Sequence, residues 1–240
     1  MKLFTLLSIS LLIAHFGYGQ STEYSLHLNS GFAAYQGRAA AQGGTALTVP
    51  DPFDVYLYSD REEPHTSNPY GTTLGLSYGL AAQAQRVTAR GSLWGLQAGY
   101  EVLRSRARIR HVFDQVDFGS SSTGYTTMIN RCTTAHPFFG HRFAIKRTQV
   151  DLTAGPEVSF LHRSHEKGEA KTDFSTYSTR LHHAHPDLDV RARVNATTSY
   201  QRLGLALGYS RGFTNHRKGQ AGVRGEAYLQ VFRLGLSYRL

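Results

Sequence analysis

Cysteine is almost absent from this chain: Cys132 stands alone in 240 residues. An intramolecular disulfide is therefore excluded, and so is a cysteine-based metal cluster. Long apolar runs are scarce too. Only Leu3 to Ile13 forms one, and the mean hydropathy is negative, so a helical membrane protein is excluded. Acidic residues are outnumbered, 17 against 26 Lys and Arg, for a formal net charge of +9. That sign suits nucleic acid, an anionic membrane surface or plain solubility. An exported N-terminus argues against nucleic acid as a partner.

The export signal is short. Met1-Lys2 is a positive start, Leu3 to Ile13 an apolar core, and Gly17 and Gly19 are small residues where a signal peptidase reads. Residues 1–19 are expected to be a signal peptide and 20–240 a single domain. No cysteine follows the cleavage site, so a lipoprotein is not expected. The 24 Gly, 14 Tyr and 13 Phe suit strands with small positions on one face and aromatic ones on the other.

The strongest signal is a period of two. Tyr24, Leu26, Leu28 and Phe32 share one face, with His27, Asn29 and Gly31 on the other. Leu74, Leu76, Tyr78 and Leu80 oppose Gly75, Ser77, Gly79 and Ala81. Trp94 to Val102 opposes Gly95 to Glu101, and that apolar face then becomes Arg104, Arg106, Arg108 and Arg110. A weaker strand is read over 125–145, where Pro137 predicts a bulge or distortion. Further alternating segments cover 150–160, 188–197, 203–210 and 228–240. The stretches 36–70, 112–124 and 215–223 read as connectors or loops and 161–186 as a loop or strand extension, with a short strand within 36–70 at Asp54 to Ser59. The first of them holds four of the seven prolines.

Eight strands result, joined alternately by short turns and long connectors. That is the plan of an all-β, eight-stranded antiparallel up-and-down transmembrane β-barrel with short periplasmic turns. A secreted β-sandwich also alternates. It does not so readily alternate its loop lengths or set apolar stripes against Gly, Ser and Arg.

The signal peptide, the eight strands and the ending resemble the PorT-like outer-membrane β-barrel family of Gram-negative bacteria. Pro137-Phe138-Phe139-Gly140-His141-Arg142-Phe143 and Ala154-Gly155-Pro156-Glu157 look like its fourth strand and the start of its fifth. Gly235, Tyr238 and Leu240 lie in a segment similar to the C-terminal signal read by the barrel-assembly machinery, although it ends on Leu rather than an aromatic residue. The resemblance implies a cell outer-membrane location and contact with outer-membrane lipid. It implies no activity and no cofactor.

Eight strands leave an interior that side chains fill. The inward parity carries Glu101, Asp151 and Glu157 with Arg142, Arg191, Arg193, Arg233 and Arg239, a set in which arginine is in surplus. Two readings follow: a salt-bridged plug, or a small anion-selective passage. Arg104, Arg106, Arg108 and Arg110 either continue the lipid face and meet lipopolysaccharide phosphates, turn inward across a bulge, or blunt a solvated edge. His162, His165, His182, His183 and His185 are either a zinc or copper site or ordinary loop residues, and no metal is expected there. Ser120 to Thr123 with His111, Asp114 and Asp117 are the candidates for a lipid acyltransferase. No spacing fixes a base against a nucleophile, so an enzyme is not expected. The role expected is structural, adhesive or assembly-related, through outer loops and a possible protein partner.

Overall fold

The computed structural model describes residues 21–50, 63–114, 118–183, 186–217 and 225–240. The segment read as a signal peptide and the short strand expected at Asp54 to Ser59 lie outside the described residues. Among the described residues eleven strands are present: β1 (Ser21–Gln36), β2 (Thr45–Thr48), β3 (His65–Thr66), β4 (Thr73–Val87), β5 (Ser92–Phe113), β6 (Phe118–Ile145), β7 (Thr148–Lys171), β8 (Thr176–His182), β9 (Leu188–Tyr200), β10 (Leu203–Gly212) and β11 (Tyr228–Arg239).

Eight of them close a ring of antiparallel pairs, β1-β4-β5-β6-β7-β9-β10-β11, which returns to β1. Closure leaves these eight strands without free edges. The tight turns at 88–91, 146–147 and 201–202 lie at the end that carries Ser21 and Leu240. Lys146, Gln201 and Gly91 adopt positive φ there, which lets the chain reverse within a few residues. By the loop-length rule this end faces the periplasm.

The alternation read from sequence sets the two faces. In one register row Leu80, Leu28, Leu236 and Leu205 lie side by side, all turned outward and exposed. The next row, Gly79, Asn29, Gly235 and Ala206, points into the lumen. Aromatic residues such as Tyr24, Trp94 and Tyr238 mark one end of the exposed belt, and Tyr78, Tyr100, Phe160 and Phe232 the other. Leucines on the outside and polar groups within are the arrangement hydrocarbon requires.

One sequence reading needs correction, and two that left alternatives open are decided. First, 118–124 is not loop but strand: β5 runs to Phe113, and β6 pairs with it from Phe118 on, with register shifts at Ile109/His111 and Val112/Phe113. That Ser- and Gly-rich stretch has no apolar period, and strand pairing supplies what propensity lacks. Second, of the loop or strand extension read after Leu161 the strand extension is found: β7 continues to Lys171 and turns back as β8.

Third, of the bulge or distortion expected at Pro137 the distortion is found, with no register shift. Pro137 lies opposite Pro156 in the β6–β7 register, and the ladder is interrupted there without slipping. Each proline removes a donor. His136 Nδ1 donates to the Pro156 carbonyl at 2.9 Å and so satisfies an acceptor the ladder leaves open. The irregularity falls instead between Arg131 and Cys132.

Past the belt, β5, β6 and β7 continue outward as an extension. β8 joins β7, β2 joins β5 in parallel, and β3 joins β2. The outer edges β3 and β8 then meet, where Thr179 Oγ1 donates to the Pro64 carbonyl. Leu47, Ile109, Val112 and Ala170 fill the interior of this extension. Below it, Tyr35, Tyr70, Leu103, Met128, Cys132, Leu161 and Leu229 form an apolar layer across the barrel mouth.

Candidate functional site

The lumen holds two clusters of charge. Near the periplasmic end, Arg142 pairs with Asp151 (2.7 and 2.8 Å) and with Glu23 (2.7 and 2.8 Å). Arg239 lies 3.4 Å from Glu23, and Gln85 donates to the same carboxylate. At mid-barrel three arginines converge on the fully buried Glu157: Arg191 at 2.9 Å, Arg193 at 3.0 Å and Arg233 at 3.0 Å. Arg233 also grips Glu101 through two bonds of 2.7 and 2.8 Å, and Arg191 binds Asp189 at 2.7 Å.

All eight lumen residues named from sequence therefore sit inside the ring; seven of them bond another of the eight, and Arg239 meets Glu23 and Gln149. The surplus of arginine does not hold. Glu23 and Asp189 join Glu101, Asp151 and Glu157, so five carboxylates face the five arginines Arg142, Arg191, Arg193, Arg233 and Arg239. Both additions were legible by parity. Glu23 shares the inward phase of His27 and Asn29, and Asp189 that of Arg191. Large charged residues are matched by absent side chains. A Cβ at Gly79 would lie 2.8 Å from Glu101 Cγ, so only glycine there admits the Glu101–Arg233 pair.

A cavity of about 40 Å³ remains between the two clusters, lined by polar groups that include Gln83, Gln97, Asn195 and Ser237. It has room for a few water molecules and not for a solute. Above the charges the mouth is stoppered. Tyr35 and Tyr70 pack edge to face at 5.0 Å, Asn130 donates to the Tyr35 hydroxyl at 2.7 Å, and His216 lies 3.4 Å from Asp189.

The extension has its own buried centre. Glu166, fully buried, accepts from Thr66 and Thr126 at 2.7 Å each and lies 2.7 Å from His183 Nε2. This ties β3, β6 and β7 to the segment after β8. Sequence reading missed Glu166, because its partners come from three separate stretches of chain. The histidines do not converge: His162 bonds Thr133, His182 bonds Arg163, His183 bonds Glu166, and His185 lies outside the described residues. No group of three potential metal ligands occurs among the described residues.

Arg104, Arg106, Arg108 and Arg110 keep the outward parity, and Leu103, Ser105, Ala107 and Ile109 are buried beneath them. The inward alternative is thereby excluded. Arg104 lies over the Tyr78 ring at 5.1 Å and Arg106 over Tyr125 at 5.6 Å. Of the acyltransferase candidates, His111 and Ser121 are cross-strand partners, but Asp114 is engaged by the Tyr177 hydroxyl at 2.8 Å. Asp117 lies outside the described residues. Gly235 and Tyr238 lie on β11 and Leu240 follows it, with Tyr238 turned to the lipid face.

No family model and no curated protein matches this chain, so the PorT-like resemblance has no support from either comparison. Solved structures do match. Ail of Yersinia pestis, in complex with the heparin analogue sucrose octasulfate, is 11% identical over 92% of this chain and 99% of its own, with a TM-score of 0.33. Neisserial surface protein A gives 10%, 92%, 99% and 0.36. The outer membrane protease OmpT from Escherichia coli gives 11%, 93%, 97% and 0.35. At these superpositions the chain's own geometry carries the assignment. A closed ring of eight strands, leucine and aromatic side chains outside, paired charges inside: the chain is an outer-membrane β-barrel protein.

Proposed function

We propose that this protein is a sealed barrel whose working part is the outer extension, a rigid contact surface with a structural, adhesive or assembly-partner role. The observation that carries the proposal is the combination of a balanced, stoppered lumen with strands β5 to β8 standing beyond the membrane around a packed interior. A solute passage needs an open lumen, and between the described charge clusters only about 40 Å³ is left. Binding sites are commonly carried on segments held by a rigid scaffold, as this extension is by the barrel.

On this reading residues 1–19 direct export, Gly235, Tyr238 and Leu240 are read by the barrel-assembly machinery, and the outer wall touches membrane lipid and lipopolysaccharide. The test compares cells producing the full chain with cells in which the β7–β8 hairpin is shortened between 167 and 180. The shortened chain is expected to reach the membrane at the same level and keep its heat-dependent gel mobility, while adherence to other cells or surfaces falls. Equal adherence by both would remove the contact role of the extension.

A further inference from the structure

The outward face of the extension has an unbalanced charge that its own strands do not answer. Three register rows cross β5, β6 and β7 just above the aromatic rim. The lowest runs Tyr78, Val102, Arg131, Arg163. The next runs Arg104, Ile129, His165, and the third Arg106, Thr127, Lys167. Arg131 and Arg163 are direct cross-strand partners, and like charges so placed repel. Among the described outward residues of β5 to β8 the one carboxylate is Glu169, and Lys171 is its partner at 3.5 Å. Arg106, Arg108, Arg131 and Lys167 have no carboxylate partner among the described residues, and Arg104 Nε is buried without an acceptor.

The surface registers this field. His165 stands between Arg131, Arg163 and Lys167 with His182 beside it, its rings 6.1 Å from that neighbour. Burial and these cations push its pKa down to about 4. The wall is also continuous with the lipid face. The stripe Trp94, Leu96, Ala98, Tyr100 on β5 leads straight into Arg104, Arg106 and Arg108 on the same side of the same strand. A ligand that meets both parts must carry acyl chains and, directly above them, anionic groups. Planar guanidinium groups fit phosphate oxygens.

We propose that this wall is a site for the phosphorylated glycolipid of the outer leaflet. Its acyl chains lie along the Leu96–Tyr100 stripe, and its phosphates are held by Arg104, Arg106, Arg108, Arg131, Arg163 and Lys167. The proposal rests on the reading of the chain as an outer-membrane barrel with an outward extension, but not on whether the lumen is sealed. A barrel that conducts can still bind lipid, so the two fail separately.

The test uses the full chain refolded in detergent and titrated with lipopolysaccharide, with its phosphate-free form and with inorganic phosphate. Intact lipopolysaccharide is expected to bind at least about tenfold more tightly than the phosphate-free form, with an affinity that falls as salt rises. The R131Q/R163Q variant is expected to lose about tenfold, the scale of a lost charge-assisted contact. K146Q, at the periplasmic turn, is expected to change nothing. His165, followed by NMR, is expected to titrate at higher pH once the lipid is bound. Should R131Q/R163Q lose its heat-dependent gel mobility, R106Q serves in its place. Equal binding of the two lipid forms, or undiminished binding by a folded variant, would overturn the proposal. Saturation by inorganic phosphate at the same affinity would overturn the assignment to lipid.

Discussion

Glu157→Gln is expected to destabilise the barrel by about 3–5 kcal/mol, the cost of breaking a buried ion network by removing one partner. Three guanidinium groups lie within 3.0 Å of that carboxylate, and it is fully buried. A neutral amide keeps the shape but leaves Arg193 without a carboxylate partner and Arg191 and Arg233 with one each. Urea unfolding of the refolded protein in lipid or detergent measures the loss. The E157Q/R193M double variant is expected to recover part of it, because one unanswered charge goes with the other. Groups in one network couple by about 0.5–3 kcal/mol. Additive losses would mean that the charges act independently and that the network is not the structural unit described here.

The second large effect lies on the opposite face of the wall. Leu28→Arg is expected to cost about 2–4 kcal/mol in a bilayer, the depth-dependent penalty for a cation at the midplane of a barrel's lipid face. Leu28 is 58% exposed and sits at the centre of the β1 belt, between Tyr24 and Phe32. In a water-soluble sandwich the same change at an exposed site would fall within about 0.5 kcal/mol of neutral. The variant therefore separates a lipid-facing surface from a water-facing one by a margin that unfolding curves resolve. A neutral result would place Leu28 in water and remove the membrane from the account.

The two effects also mark what was legible in the sequence. The period of two fixes which residues face lipid and which face the lumen, because one residue of slip would turn every leucine inward. Leu28, Leu80, Leu205 and Leu236 are therefore readable one strand at a time. Inward Glu101, Asp151, Glu157 and the five arginines follow from the same parity. Which charge meets which does not. Arg233 reaches Glu101 across 132 positions of chain, and only barrel closure brings them together.

The extension was least legible. β2 and β3 are four and two residues long, and the β2–β5 pairing is parallel and non-local. No local propensity announces such pairs. The stretch 118–124 reads as loop because Ser and Gly dominate it, yet it is strand because β5 and β7 flank it. Glu166 looks like one more exposed acid until Thr66, Thr126 and His183 are brought around it. The surplus of inward arginine came from leaving Glu23 and Asp189 out of the inward set, when both turn into the lumen and complete the pairing.

The sealed lumen is tested most directly by planar-bilayer recording of the refolded full-length protein. With five carboxylates paired to five arginines, a cavity of about 40 Å³ and the Tyr35–Tyr70 stopper, the account predicts no conductance steps above those of a protein-free bilayer. Reproducible steps from the native chain, abolished by Arg191→Glu, would contradict it and make the lumen an ion path.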